Sequence, residues 1–130
     1  MQDLKKNLHI NETRVPFEMA VDLREKGFHE PTREHYHKEG DLSDVDSAVC
    51  DWNDTDNMYS APTLDVVRKW LHDLYDIEIE IYATEPMCYR YKCFSFNNDE
   101  FGSMEYESDE CFYNYDQALM FAFEYCLEEI

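Results

Sequence analysis

The stretch Ile77-Glu-Ile-Glu-Ile-Tyr82 alternates strictly between apolar and acidic positions along its isoleucines and glutamates. Successive side chains of an extended chain point to opposite faces, so Ile77, Ile79 and Ile81 belong to a core face and Glu78 and Glu80 to water. A half-buried strand is thus imposed here. Just before it, Val67, Trp70, Leu71 and Leu74 recur at helical spacing, with Arg68, Lys69, His72 and Asp73 on the other side. That pattern predicts an amphipathic helix over 64–75. Ser60-Ala-Pro-Thr63 supplies its start, with Thr63 as N-cap and Asp65 favourably placed in the first turn.

The strand needs partners. Thr84-Glu-Pro86 reads as a turn, and Met87 to Phe96 as a second strand in which Tyr89 and Tyr91 are opposed to Arg90 and Lys92. Glu78 and Glu80 are expected to face Arg90 and Lys92 across this hairpin, at roughly 0.2–1 kcal/mol each. Asn97 to Gly102 reads as the next turn, and Ser103 to Phe112 as a third strand with Glu105, Glu107 and Asp109 outward. Asn114 with Gln117 makes a capping box for a last helix, Tyr115 to Glu129. Ala118, Leu119, Ala122, Phe123, Cys126, Leu127 and Ile130, with Met120, Phe121 and Tyr125, cover most of its circumference. Only Asp116, Glu124 and Glu128 are left for a polar stripe, so this helix is expected at the centre of the fold or in an oligomer seam.

Upstream, Pro16 to Lys26 reads as a first helix, with Pro at the first position and Phe17, Ala20, Val21 and Leu23 on its apolar side. Gly27 stops it, and Phe28 is placed to meet Leu23 as in a Schellman ending. Arg33 to Gly40 is a candidate short strand. Asp41 to Asn57 is rich in Asp, Ser and Asn and reads as a long loop, part of which packs down through Val45, Val49 and Trp52. The expected fold is a single acidic α+β domain over 1–130: a small antiparallel sheet of about three strands packed against helices, in the order α-loop-α-β-β-β-α.

Charge narrows the function. The chain of 130 residues carries 30 Asp and Glu against 11 Lys and Arg, a net charge of −19. Residues 41–62 hold six acidic and no basic side chains, and 96–130 hold ten acidic and none basic. Such a field repels phosphate backbones and anionic lipid and attracts basic surfaces. The expected partner is the basic surface of another protein, with no direct contact to nucleic acid and none to a membrane. The candidate binding face is Glu105, Glu107, Asp109, Glu110, Asp116, Glu124 and Glu128. An aromatic content of 15% argues for a folded chain in spite of the charge.

Five cysteines without a CxxC pair read as reduced thiols. Met1-Gln-Asp-Leu-Lys-Lys opens onto no apolar signal region, and no run of about eighteen apolar residues occurs. These points together lead to the expectation of a cytoplasmic protein, which the resemblance given below would place in a bacterial host cell.

No motif specifies catalysis. His35-x-His37, with His29, Asp41 and Asp44 nearby, has a spacing that zinc would tolerate, but structural zinc sites show Cys or His pairs at both ends of a loop. Asp51-Trp-Asn53-Asp-Thr55 begins like a calcium loop and fails where Asp56 replaces the required Gly and Pro62 the required Glu. A second start at Asn97 fails at Phe101 and Ser108. Cys50 with His35 or His37 lacks the surroundings of a nucleophile, and three glycines cannot build a phosphate loop. The expectation is a non-enzymatic chain with no cofactor and no metal.

Ser60-Ala-Pro-Thr63 leading to Trp70-Leu71, then Ile77-x-Ile79-x-Ile81-Tyr82, and finally Tyr115-Asp-Gln-Ala118 before an apolar helix, resembles small uncharacterised proteins of gut Bacteroidetes and their phages and mobile elements. The likeness spans roughly residues 15–130 and implies a genomic setting, with no functional residues attached. The order α-β-β-β-α over 63–130 is also that of double-stranded-RNA-binding domains, but the expected third strand and last helix here hold none of the Lys and Arg that such domains turn to phosphates. A globule of this length is about 36 Å across, and duplex DNA of that length carries on the order of twenty phosphates. A phage or mobile-element protein of −19 could therefore imitate nucleic acid and block a host nucleic-acid-binding protein. The alternative is a structural or accessory phage protein that binds through its apolar last helix. Mutual repulsion favours a monomer at low salt, with a dimer possible.

Overall fold

The computed structural model describes residues 13–43, 49–95 and 105–130. Asp44, Val45, the expected turn Asn97 to Gly102 and the expected strand start at Ser103 lie outside the described residues. The chain is of the α+β class and divides into two compact units, 1–65 and 66–130.

In the first unit, helix α1 (Phe17–Glu25) follows Pro16, which has extended backbone at the N-cap. Its end is the Schellman arrangement that Gly27 implied. Gly27 takes φ +88°, the Phe28 N–H donates to the Leu23 carbonyl at 3.0 Å, and the Gly27 N–H donates to Arg24 O at 3.1 Å. Leu23 and Phe28 are both fully buried. Strand β1 (His35–His37) lies between β2 (Leu42–Ser43) and β3 (Met58–Ser60), all antiparallel. This sheet was not expected. The candidate strand of 33–40 shrinks to His35–His37, and Asp41–Asn57, read as loop, contains β2 and a 3₁₀ turn at Trp52–Asp54. Of the residues expected to pack down, Trp52 does, whereas Val49 is 58% exposed.

Asn53 explains why that segment is ordered. Its side-chain amide donates to Phe28 O at 2.7 Å, and its carbonyl accepts from the Ser60 N–H at 2.9 Å, so one buried side chain ties the end of α1 to β3. Asp51 accepts from the Asn53 N–H and lies 2.8 Å from His29 Nδ1. Asp51 and Asn53, the first two ligand positions of what looked like the start of a calcium loop, are engaged in internal bonds. Likewise His35 does not present itself as a ligand: it is buried, its ring stacks on Trp52 at 3.9 Å, and the His37 ring sits 5.1 Å away.

Burial, with His37 adding to it, holds the His35 imidazole below its ordinary value of 6.5. As pH falls through 6.5 the unfolded chain takes up a proton that the folded unit refuses, so stability is complete above 6.5 and is lost as pH drops below it. Replacing His35 by Phe keeps a ring against Trp52 and removes the titration. The expected result is a shallower loss of stability below pH 6.5 for H35F than for the parent, read from Trp52 fluorescence with Trp70 replaced by Phe. Equal slopes would contradict the assignment.

In the second unit, helix α2 (Leu64–Tyr75), which begins at the unit boundary, buries Val67, Trp70 and Leu71 as its spacing required. Leu74, the fourth apolar position, is 62% exposed. Asp76 reverses the chain at φ 56°, a conformation in which Asp is tolerated better than most residues. Strand β4 (Ile77–Glu85) pairs with β5 (Cys88–Ser95), and β5 with β6 (Glu105–Glu107), all antiparallel in the order β4-β5-β6. The hairpin turns later than Thr84-Glu-Pro86 suggested. Its two connecting residues are Pro86 and Met87, with Met87 at φ 61°, the sign that position requires when Pro precedes it in a type II turn.

Ile77 and Ile79 are buried as expected, whereas Ile81, the third of the alternating isoleucines, is only half-buried. Glu80 stands opposite Lys92 as expected, but Glu78 faces Phe94 and reaches His72 Nε2 at 2.8 Å, while Arg90 faces Tyr82. The third strand stops at Glu107, short of the expected Phe112, because Ser108 turns inward: its hydroxyl accepts from the Tyr91 N–H at 3.1 Å. A separate backbone bridge joins Phe112 to Tyr89. Cys88 and Cys111, beside that bridge, form a disulfide with Cα atoms 4.8 Å apart. This corrects the reading of five reduced thiols and removes the argument for a reducing compartment that rested on it. Spacing gave no hint of the pair, since the backbone bridge beside it brings the two together.

Helix α3 (Tyr115–Glu129) has the expected bounds and cap. Asn114 accepts from the Gln117 N–H at 2.8 Å, and Gln117 Oε1 accepts in return from the Tyr113 N–H at 2.6 Å. Ala118, Leu119, Ala122, Phe123, Cys126 and Leu127 are buried. Among the described residues no helix is long and apolar enough to cross a membrane.

Candidate protein-binding face

Alternation in the sheet of the second unit decides where the candidate carboxylates go. Ile79, Cys93 and Tyr106 stand in one cross-strand row, and Tyr106 stacks on Tyr125 of α3 at 4.2 Å, so this is the face α3 covers. Glu105 and Glu107 flank Tyr106 and therefore lie on the opposite face, with Glu80, Arg90 and Lys92. There they already have partners. Lys92 stands opposite both Glu80 and Glu107 and brings its Nζ to 3.6 Å from Glu105, while the Tyr82 hydroxyl donates to Glu107.

Asp109 and Glu110 are exposed in the bend after β6. Asp116 is half-buried in the first turn of α3. It does not share the polar stripe expected of it, because eight residues along a helix carry it roughly 80° round from Glu124. Glu124 and Glu128 do share one face, one turn apart and both exposed. The seven candidates are thus divided among the open sheet face, the bend, the first turn of α3, where Asp116 stands apart, and the outer face of that helix.

What shares the outer face of α3 with Glu124 and Glu128 is Gln117 and Phe121, at spacings of three, four and seven residues. Phe121 is 43% exposed, although the sequence placed it with the apolar wall. It is not loose. Its ring stacks on Phe112 at 4.7 Å, Phe112 on Tyr91 at 5.9 Å, and Tyr91 contacts Tyr106 at 5.9 Å, which closes on Tyr125. A continuous chain of rings runs from the interior to this surface. Burial pushes the Tyr91 and Tyr125 hydroxyls up from their ordinary range, so these rings stay neutral. Tyr113 and Tyr115 add exposed aromatic area at the start of the helix, with Tyr115 held by Arg68, whose guanidinium donates to its hydroxyl at 2.7 Å.

Electrostatics at the far end of α3 point the same way. The last turn holds Glu128 and Glu129 and no basic residue. A helix C-terminus carries about half a negative charge of its own, so these carboxylates stand where cations are preferred. The strip from Phe121 to Glu129 combines a fixed apolar ring with uncompensated negative potential. Among the described residues neither Glu124 nor Glu128 has an ion-pair partner.

Compared with protein-family models, curated proteins and solved structures, the chain matches none.

The other titrating cluster in this unit is small. His72, exposed on α2, is raised from its ordinary value by its hydrogen bond to Asp73 and by Glu78, and Asp73 is lowered by hydrogen bonds from Lys69 and His72. These groups form a solvated ion network of the kind that contributes little. Among the described residues no group of three or more His, Cys, Asp or Glu side chains converges as a metal site would require. The signal that could have found Phe121 was present in the sequence. It sits at helical spacing between Gln117, Glu124 and Glu128, and on the far side from Leu119, Phe123 and Cys126.

Proposed function

We propose that the chain is a non-enzymatic binding module that takes the basic surface of another protein on the outer face of α3, with Phe121 as the apolar anchor and Glu124 and Glu128 as the carboxylates beside it. The observation that carries this reading is the exposed Phe121 ring, stacked on Phe112 and set among acidic side chains. Aromatic rings held rigid lose little entropy on binding, and they are favoured at the centres of interfaces. Surrounding carboxylates select the sign of the partner and speed its approach. Arginine suits both groups, since its planar guanidinium stacks on rings and forks onto carboxylates.

Imitation of a nucleic-acid backbone calls for a row of carboxylates along one face. The division of the seven candidates among sheet, bend and helix favours the plainer reading, a mixed aromatic and acidic interface. Binding of a short Arg-rich peptide with one apolar side chain, followed by titration calorimetry across a salt series, tests the proposal. Affinity should fall as salt rises above ~0.1 M and screening shortens to about 10 Å, yet a residual apolar part should persist. Affinity that vanishes entirely with salt would mean charge alone.

A further inference from the structure

We propose that Cys93 and Cys126 are a second disulfide site, closed when the chain folds in the presence of a thiol-oxidising disulfide such as oxidised glutathione. Cys93 lies on β5 in the row facing α3, and Cys126 lies on the inward side of α3. Both are completely buried, and their sulfurs stand 3.7 Å apart. A disulfide places sulfurs about 2.05 Å apart, so closure asks for a movement of under ~2 Å by two side chains that already touch. Nothing has to leave the core to make room.

A second observation concerns the same strand. Cys88, five residues before Cys93 on β5, is already oxidised with Cys111. Conditions that close that bond act on a chain whose other two cysteines in this unit are neighbours as well. In the folded unit the reaction is slow, because the hydrogen bond to Cys93 and burial both hold the Cys126 thiol protonated, and only the thiolate attacks. Closure therefore belongs to the folding chain, before the sheet and helix seal the sulfurs from the oxidant.

The step balances as ordinary exchange. One cysteine thiolate attacks a sulfur of oxidised glutathione, forming a mixed disulfide and expelling one glutathione thiolate. The second cysteine, on losing its proton, attacks the protein sulfur of that mixed disulfide and expels the other. Two protein thiols lose two electrons and two protons, and one glutathione disulfide becomes two thiols. The product joins β5 to α3 directly, beneath the face that carries Phe121.

The test uses the full chain. Reduced, denatured protein is refolded in glutathione buffers of increasing oxidised fraction, quenched in acid, denatured, alkylated and mapped by proteolysis without reduction. The expected result is a Cys93–Cys126 linked peptide wherever the Cys88–Cys111 peptide appears, leaving Cys50, the exposed cysteine, as the single alkylated position. C126S should then leave Cys93 alkylated beside Cys50 with Cys88–Cys111 intact. Three alkylated cysteines, Cys50, Cys93 and Cys126, in the presence of a closed Cys88–Cys111 bond would overturn the proposal. So would Cys50 linked to either partner, a stable glutathione adduct at Cys93 or Cys126, or a folded product in which neither bond forms.

Discussion

Replacing Phe123 by alanine should lower the stability of the second unit by about 3–5 kcal/mol, the range for truncating a buried aromatic. Phe123 is fully buried on α3, and the loss combines the transfer energy of the ring with the cavity it leaves. Because a domain holds only about 5–15 kcal/mol in total, this single change should remove a large share of the unit's stability. Phe121→Ala, two residues away, should cost far less, since that ring is 43% exposed and gives up chiefly its stack on Phe112. Urea unfolding followed by Trp70 fluorescence, with Trp52 replaced by Phe, measures both. The linear slope should stay unchanged while the midpoint moves. A loss below about 1 kcal/mol for F123A would contradict the placement of α3, because a ring truncation that small belongs to the surface.

The contrast between these two phenylalanines shows how much was legible beforehand. Helical spacing alone assigns Phe123 to the side of Leu119 and Cys126, and Phe121 to the side of Glu124 and Glu128. Counting apolar residues round the circumference hid that difference, because it treated Phe121 as one more wall position. Local signals elsewhere translated directly into structure: the alternating isoleucines of β4, the Gly27 ending of α1 and the Asn114 cap of α3 each depend on residues within a turn or two of one another.

What did not show was non-local. The three-stranded sheet around His35 is made of segments of two and three residues, too short to carry a period. That Trp52 packs down was readable from its own segment, but nothing local names His35 as the ring it stacks on. The Cys88–Cys111 bond depends on a backbone bridge between Tyr89 and Phe112 that no spacing rule encodes. The candidate carboxylates failed to converge for a related reason. Glu105 and Glu107 were rightly read as outward, but outward from a sheet and outward from the helix covering it are opposite directions.

The second large effect is on binding, and it turns on that same separation. Losing the Phe121 ring should weaken the Arg-rich peptide about tenfold or more, since truncating an interface anchor costs on the order of 2 kcal/mol and each 1.4 kcal/mol is a factor of ten. Paired replacement E124Q with E128Q should weaken it comparably at low salt and flatten the salt dependence, because two carboxylates beside the anchor are removed without changing shape. On the sheet face, E105Q with E107Q removes the same amount of charge. Those carboxylates are already committed to Lys92 and Tyr82, and they lie on the far side of the sheet from α3. Their replacement should leave affinity within about twofold of the parent, the residue of a small change in long-range attraction.

The most direct measurement is therefore calorimetric titration of one Arg-rich peptide into the parent chain, F121A, E124Q with E128Q, and E105Q with E107Q, all at one moderate salt concentration. Binding through the outer face of α3 predicts a loss of about tenfold for each of the first two variants and nearly none for the third. Equal losses for the two glutamate pairs together with an unchanged F121A would contradict it, and would leave the acidity of this chain as a diffuse field without a docking face.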